Sequence, residues 1–320
     1  MRSGLLRVMF WIGAGLACTL LLSSFSLEAP KGEWRILTPM PHKRSEVAAA
    51  ALGDRVYVAG GLSWFGVTSR VERYDPSRDR WEEVAPLPIP LHHAGMGAVG
   101  KKLYVVGGFT GLFSWTPLQT VFSYDPSTNL WTQGALMPTP RGALGVAVSG
   151  GKLFAVGGLG KSGNTGANEA YDPAVDRWEV RAVMPTARDH LSVAVIGKTL
   201  FALGGRLRSN YATNLSVNEA YDPDENRWSL SSPLPMPRSG TASAALNERV
   251  LIFGGESPEG TFRDTDAFDP KSSTWENLAP MPTGRHGLGA AEIDGKIYVV
   301  SGSPVPGGSF SDANEVFSFK

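Results

Sequence analysis

Residues 102–131 read KLYVVGGFTGLFSWTPLQTVFSYDPSTNLW, and this stretch decides the fold. Its first apolar run ends at the glycine doublet 107–108, its second ends at the Tyr-Asp-Pro at 124–126, and Trp131 follows. Short β-branched and aromatic runs bounded by Gly and Pro are typical of strands joined by tight turns. The stretch therefore predicts two neighbouring strands and the start of a third at the tryptophan.

The same three markers recur along the whole chain, and the spacing between tryptophans alternates between 47 and 50 residues. The tryptophans are Trp34, Trp81, Trp131, Trp178, Trp228 and Trp275. The doublets begin at Gly60, Gly107, Gly157, Gly204 and Gly254, with Ser301-Gly302 as a degenerate sixth. The Tyr-Asp-Pro sites begin at Tyr74, Tyr124, Tyr171 and Tyr221, with Phe268-Asp269-Pro270 as a variant. A period of this length, punctuated by turn residues, indicates a radial array of small sheets.

Each repeat holds four strands, as the second repeat illustrates. His93–Val99, Lys102–Val106 and Val121–Tyr124 are followed by a strand that opens at Trp131. Four short antiparallel strands form one blade of a β-propeller, and we label them a to d from the axis outward.

The two ends of the chain explain how the propeller closes. The final strand, Val316–Phe319, has no d strand after it. Glu33–Leu37, which carries the otherwise unpartnered Trp34, supplies that strand and leaves no open edge. We therefore predict an all-β, six-bladed β-propeller of four-stranded antiparallel blades, whose last blade is closed by the N-terminal strand.

Small residues recur at two positions on one face of every a strand. The first position holds Ala48, Gly95, Gly145, Ser192, Ala242 and Gly289. The second holds Ala50, Gly97, Ala147, Ala194, Ala244 and Ala291. Residues two apart in a strand share a face, so this pattern predicts strands that crowd together around a narrow central axis. The tryptophans, in contrast, are expected to pack between neighbouring blades.

The doublet, the Tyr-Asp-Pro and the Trp at this spacing resemble the Kelch repeat, and the resemblance covers residues 33–320. It implies a Kelch propeller. The family includes protein-interaction modules and a few enzymes, so membership alone does not give an activity. Its copper radical oxidases require a cysteine linked to a tyrosine, whereas Cys18 is the only cysteine here and precedes the repeats. We therefore predict no cofactor.

The amino terminus differs in kind from the repeats. Arg2 and Arg7 precede an uncharged run over residues 8–27, which is the layout of a secretory signal peptide. The run is also close to the ~20 residues that span a bilayer, so residues 1–27 are interpreted as a signal peptide or a signal anchor. In both cases we predict export to the periplasm or the extracellular space, in a form that is soluble after cleavage or attached to the membrane.

The overall charge argues against a nucleic-acid partner. Thirty Lys and Arg residues balance thirty Asp and Glu residues, and no basic stripe is present in the sequence.

We also predict that the protein is a monomer.

Loop lengths indicate which face binds a ligand. The a–b and c–d turns share one face of a blade, and the b–c and d–a loops, which vary here, share the other. Five of the six d–a segments end in an arginine, with Leu91 in the second: Arg44, Arg141, Arg188, Arg238 and Arg285. Such a ring predicts a cationic rim for carboxylate or phosphate recognition. The alternative is that each arginine pairs with a carboxylate or with carbonyls of the adjacent blade and builds the repeat.

All five histidines lie in d–a segments or at the start of a strands: His42, His92, His93, His190 and His286. His93, His190 and Glu46 occupy the same repeat position in different blades. Because no local spacing is typical of metal ligands, we predict no metal site and interpret these residues as polar groups at the channel mouth. His93 and His190 are candidates for contact with a ligand.

The b–c loops are longer in blades 2, 4 and 6 than in the other blades, and blade 1 adds Trp64 and Phe65. The candidate ligand-binding residues in these loops are Trp64, Phe109, Trp115, Arg206 and Tyr211. Exposed aromatic side chains with Arg suit a protein partner or stacked sugar rings. The alternative is that they fold back and cap the blades.

Two functions fit these features. The first is non-catalytic binding of a protein, a glycan or a small anionic sugar by the variable-loop face, since the sequence has no nucleophile elbow, P-loop or His-Glu-x-x-His. The second is a periplasmic sugar mutarotase or epimerase, which the resemblance to Kelch-type sialic acid epimerases implies. That chemistry needs an acid, a base and a cation near the axis, for which the arginine ring, Glu46, His93, His190 and Glu292 are candidates without assigned roles. An enzyme predicts acid and base groups converging on a deep axial pocket, whereas a scaffold predicts paired charges beneath an aromatic rim.

Overall fold

The computed structural model describes residues 31–320, so the predicted signal peptide or anchor at 1–27 lies outside the described residues. The described chain consists of strands and turns arranged in six four-stranded antiparallel sheets. Each sheet is one blade, with its a strand at the axis, and the predicted six-bladed propeller is confirmed. Within residues 31–320 there is no helix of the length and hydropathy that a membrane crossing requires.

The strands follow the repeat from a to d in every blade. Blade 1 comprises Ala48–Leu52, Arg55–Ala59, Val71–Asp75 and Arg80–Val84. Blade 2 comprises Gly95–Val99, Lys102–Val106, Val121–Asp125 and Leu130–Gln133. Blade 3 comprises Gly145–Ser149, Lys152–Val156, Asn168–Asp172 and Arg177–Val180. Blade 4 comprises Ser192–Ile196, Thr199–Leu203, Asn218–Asp222 and Arg227–Leu230. Blade 5 comprises Ala242–Leu246, Arg249–Phe253, Thr265–Asp269 and Thr274–Asn277. Blade 6 comprises Gly289–Ile293, Lys296–Val300, Asn314–Ser318 and Glu33–Ile36.

The last blade is closed by the N-terminal strand, as the sequence predicts. Glu33–Ile36 pairs antiparallel with Asn314–Ser318, and Trp34 lies opposite Phe317. The indole Nε1 of Trp34 donates to the carbonyl of Ala279 in the neighbouring blade at 2.8 Å. The other five marker tryptophans make the same bond to the blade before theirs, at 2.7–3.0 Å. Each tryptophan therefore joins two blades by a hydrogen bond as well as by packing.

The a strands are as crowded as their small residues predict. A Cβ atom added to Gly95 would collide with Val146, and one added to Gly145 would collide with Val193, each in the next blade. A larger side chain at these positions would push neighbouring blades apart.

Short hairpins rise from five of the six b–c loops, an element that the sequence reading did not include. Their strands are Leu62–Ser63 with Gly66–Val67, Phe109–Thr110 with Thr116–Pro117, Leu159–Gly160 with Gly163–Asn164, Arg206–Leu207 with Asn210–Asn214, and Glu256–Ser257 with Gly260–Thr261. Each hairpin begins directly after the glycine doublet, where single-residue bridges such as Asp189 to Arg206 tie it to the d–a segment. These bridges hold the first hairpin residue close to the axis.

Candidate functional site

Six residues, one from each blade, form a closed ring of backbone hydrogen bonds around the propeller axis. They lie two positions after the arginine position of each repeat, and we call them the axial ring: Glu46, His93, Ala143, His190, Gly240 and Gly287. Each amide donates to the carbonyl of the preceding member at 2.7–3.0 Å, and Glu46 closes the circle by donating to Gly287. All six have φ between 50° and 65°, the left-handed region that glycine tolerates best. A strained conformation in four non-glycine residues is typical of a functional site.

The axial ring brings together three side chains that the sequence places far apart. Nε2 of His93 lies 3.1 Å from Oε2 of Glu46, and the rings of His93 and His190 are 4.9 Å apart between centroids. The side chains of all three residues are largely buried. A Cβ at Gly287 would lie 2.5 Å from Oε1 of Glu46, so glycine there leaves the room that the carboxyl group occupies.

A second layer of charged side chains surrounds the axial ring. Asp189 contacts Nδ1 of His190 at 2.5 Å, and Arg206 contacts Glu256 at 2.5 Å. Nε of Arg206 lies 3.6 Å from Asp189. His286 lies between two carboxylates, 3.5 Å from Glu46 and 3.4 Å from Glu256. Four histidines, three carboxylates and one guanidinium therefore converge on the axis from five blades.

Burial controls the protonation of this cluster. Burial, followed by the negative charge of Glu256, raises the pKa of Glu46 to about 8, although Arg206 acts in the opposite direction. Burial also lowers the pKa values of His92 and His286 to about 4, and those of His93 and His190 fall for the same reason. At neutral pH the site therefore presents uncharged imidazoles beside a carboxyl group that readily binds a proton.

Aromatic side chains form one wall of the site. The Trp115 ring lies 4.6 Å from the His93 ring and 5.2 Å from Phe109, between centroids. Trp115 is partly exposed, whereas Phe109 is buried beneath it, so the expected exposure of Phe109 is corrected. Tyr211 lies beside the Arg206 guanidinium, 5.9 Å from it. Trp64 is 80% exposed and packs on Phe310, away from the axial histidines.

The five repeated arginines do not form a cationic rim, and that expectation is corrected. Arg44, Arg141, Arg188, Arg238 and Arg285 are all 0–1% exposed. Each pairs with a carboxylate on the c strand of its own blade: Glu72, Glu169, Glu219, Asp266 and Glu315. Backbone carbonyls accept further hydrogens, for example those of Gly157 and Ala155 for Arg141 at 2.8 Å, whereas Nε of Arg44 and of Arg238 has no partner among the described residues. Because all five guanidinium groups are enclosed in the blades, a ligand at the surface cannot reach them.

The second blade replaces this ion pair with an apolar pair. Leu91 stands at the arginine position, Phe122 stands at the position of the acid, and both belong to one buried apolar cluster. The coordinated loss of both charges shows that the arginine and the acid act as a unit within the blade.

The sequence analysis did not identify the roles of Glu256 and Asp189, nor the convergence of the side chains in the axial ring. Glu256 follows its glycine doublet at a position that is Leu, Phe or Leu in blades 1 to 3, so its departure from the repeat was a usable signal. Asp189 directly precedes His190 in the chain, but its sequence position does not show that its carboxylate contacts Nδ1 of that histidine. The convergence of Glu46, His93 and His190 could not be foreseen, because it depends on the left-handed backbone of the axial ring.

Below the axial ring a narrow channel follows the propeller axis. A cavity of about 140 Å³ lies there, and it is lined by the six residues of the axial ring and by the residues that follow them into the a strands. A volume of this size suits water or a small group.

The fold and the repeated markers define a β-propeller of the Kelch type. The KLHDC2/KLHL20/DRC7 Kelch-repeats domain matches residues 138–302, and the Kelch motif matches residues 43–88 and 90–138. The chain belongs to the Kelch repeat family. A solved structure titled "Structure of YjhT" is similar, with a TM-score of 0.78 and 16% identity over 89% of this chain and 98% of that one. At this identity the similarity shows the fold alone. No curated protein matched the sequence.

Proposed function

We propose that this Kelch propeller binds a sugar at the axial site, between the hairpins of its b–c/d–a face. The observation that supports this most is Trp115, which lies over His93 with part of its ring exposed. A sugar ring has an apolar face of C–H groups that stacks on an aromatic ring, and hydroxyl groups that need polar partners. His93 offers such a partner next to Trp115, and Glu46 lies 3.1 Å beyond it.

The charges of the site favour a neutral or amino sugar over an anionic one. The five repeated arginines are enclosed in ion pairs, and Arg206 already contacts Glu256 and Asp189. Binding a sugar carboxylate there would require breaking an ion pair that is buried and therefore costly to separate.

A second candidate function is the mutarotation of a sugar. It is favoured by the short distance between Glu46 and His93 and by His286 at 3.5 Å on the other carboxylate oxygen. Opening and closing a sugar ring requires one group that donates a proton and one that accepts it, both within hydrogen-bonding reach. A carboxyl group between two imidazoles supplies both.

Export remains part of the proposal. It is supported by the two arginines and the apolar run of residues 8–27, and a cleaved signal or a membrane anchor are both compatible with it. Sugars outside the cytoplasm would then be the accessible ligands.

A thermal-shift screen tests the proposed function. The protein is screened against neutral hexoses, amino sugars and sialic acid. A ligand at 100 times its Kd adds about 2.7 kcal/mol to the unfolding free energy. We expect a shift with a neutral or amino sugar that is lost in Trp115→Ala and kept in the matched control Trp64→Ala.

The outcomes separate the candidates. Silence across the panel, or a shift that Trp115→Ala keeps, would contradict sugar binding at this site. Polarimetry on any bound sugar then decides between recognition and catalysis, because only a mutarotase accelerates the interconversion of anomers.

A further inference from the structure

We infer that Glu46, His93 and His190 form a binding site for a divalent transition-metal ion. Their ligand atoms, one from each residue, all lie within 4.8 Å of one another. Donor atoms around one such ion stand about 2.1 Å from it and therefore roughly 3–4 Å apart, so a small side-chain rotation brings the three into range. Two imidazoles and one carboxylate are a ligand set that zinc and iron sites use.

His190 is already oriented as a metal ligand. Its Nδ1 donates to Oδ1 of Asp189 at 2.5 Å, which leaves Nε2 with its lone pair. Asp189 is itself held by the amide of Ser209 at 3.0 Å and by Asn164 at 2.6 Å. Nε2 of His190 is buried and has no hydrogen-bond partner among the described residues. A carboxylate that fixes the tautomer of a histidine, with the other nitrogen free, is the usual arrangement behind a bound metal.

A chain of hydrogen bonds fixes the tautomer of His93 in the same sense. Nε2 of His92 lies 3.1 Å from the carbonyl of Gly111 and must donate to it, so Nδ1 of His92 is an acceptor. Nδ1 of His93 lies 2.5 Å from that acceptor and therefore carries the proton. Nε2 of His93 is left with a lone pair that faces Oε2 of Glu46 at 3.1 Å. Two acceptors that face each other need a shared proton or a cation between them.

The charges around the site fit an ion of charge two. A bound metal ion would displace the proton of Glu46, which then adds a third carboxylate to those of Asp189 and Glu256. Arg206 is the guanidinium that contacts Asp189 and Glu256. Three negative charges and one positive charge leave an excess of two, because the histidines are neutral in the tautomers derived above. A divalent cation would balance this excess in a buried place, where uncompensated charge is costly.

The axial ring explains why these residues reach one point. It places equivalent side chains of blades 1, 2 and 4 at the same height, and Gly287 leaves the room that the Glu46 carboxyl group occupies. Trp115 lies beside His93, and three protein ligands would leave a further position of the ion for water or for a sugar hydroxyl. The inference does not depend on sugar binding.

Titration calorimetry with Zn²⁺ on the full-length protein, stripped of metal by a chelator and free of sugar, tests this inference. We expect one equivalent to bind, and Co²⁺ to give the visible absorption of a low-coordinate nitrogen and oxygen site. His190→Ala and Glu46→Gln should each weaken Zn²⁺ binding by at least about 100-fold, and Asp189→Asn by about 10- to 100-fold. Circular dichroism confirms that each variant is folded, and the near-isosteric Glu46→Gln keeps the test decisive if another variant fails to fold.

His42→Gln is the matched control. His42, Glu72 and Glu83 form the other group of potential ligands among the described residues, but Glu72 is already paired with Arg44 at 2.5 Å. We expect this variant to bind Zn²⁺ as the unchanged protein does. The inference is overturned by the absence of saturable Zn²⁺ and Co²⁺ binding, by binding that survives in Glu46→Gln and His190→Ala, or by its loss in His42→Gln. None of these results bears on the sugar screen, which can be run in the presence of chelator.

Discussion

The arginine position and the axial ring lie two residues apart in every repeat, yet they differ in almost every other respect. The arginine position is the same residue in five of six blades, and each copy is buried against an acid of its own blade. The axial ring holds four different residue types, and its side chains approach one another across blades. In a repeat protein, the residue that recurs builds the repeat, and the residues that depart from it are free to form a site.

The arginine position and the axial ring also differ in their contribution to the stability of the fold. The arginine pairs are buried, and Arg141 and Arg285 also donate hydrogen bonds to carbonyls of their own blades, so the pairs stabilise only if both partners remain. The axial cluster leaves Nε2 of His190 without a partner among the described residues and holds Glu46 beside other carboxylates. Such an arrangement costs stability, as groups held for binding or catalysis commonly do.

The largest effect is expected from breaking one arginine pair. Arg285→Met leaves the buried carboxylate of Glu315 without its cation, because the two groups lie 2.5 Å apart and almost inaccessible to water. We expect the unfolding free energy to fall by about 3–5 kcal/mol, measured by urea denaturation. A loss below 1 kcal/mol would mean that the pair does not build the blade.

A smaller effect is expected when both partners are replaced as blade 2 replaces them. Arg141→Leu with Glu169→Phe copies Leu91 and Phe122 into blade 3. Of the two single variants, one will have the lower unfolding free energy, and the double variant should exceed that value. We expect a coupling energy of about 1–3 kcal/mol in a double-mutant cycle. Additive losses would show that the two blades are not equivalent at this position.

The smallest effect is expected within the axial ring itself. Ala143→Gly should change the unfolding free energy by less than about 1 kcal/mol, because relief of the left-handed strain at φ 50° offsets the greater freedom of glycine in the unfolded chain. Gly240 and Gly287 already occupy equivalent places with φ of 65° and 60°. Ala143→Val, measured alongside it, should be clearly destabilising, since a β-branched residue tolerates this conformation poorly.

Much of the fold could be predicted because the same residue types recur at a regular spacing along the sequence. Trp34 without a repeat of its own predicts the closing strand, and glycines such as Gly95 predict the crowded axis. The role of the arginines was also within reach, since an acid stands second in the c strand wherever the arginine is present and Phe122 stands there where it is not. That correlation across the repeats favours ion pairs, and it indicates a partner on the c strand of the same blade.

The site was harder to predict because it is built across blades. Glu46 and His190 are separated by three repeats, and only the closed backbone ring and its left-handed residues bring them together. Local spacing, the usual signal for metal ligands, carries no information in such a geometry. The position of a residue within the repeat is the better guide, together with its departure from the other copies.

One chemical change made in both places tests the comparison most directly: Glu315→Gln in an arginine pair and Glu46→Gln in the axial ring, each followed by urea denaturation of the metal-free protein. We predict a loss of about 3 kcal/mol for Glu315→Gln, because Arg285 is left buried with its charge uncompensated. For Glu46→Gln we predict no loss or a gain in stability, because a buried carboxyl group with other carboxylates near it is removed. Equal losses in the two variants would contradict the account and make Glu46 another structural residue of the propeller.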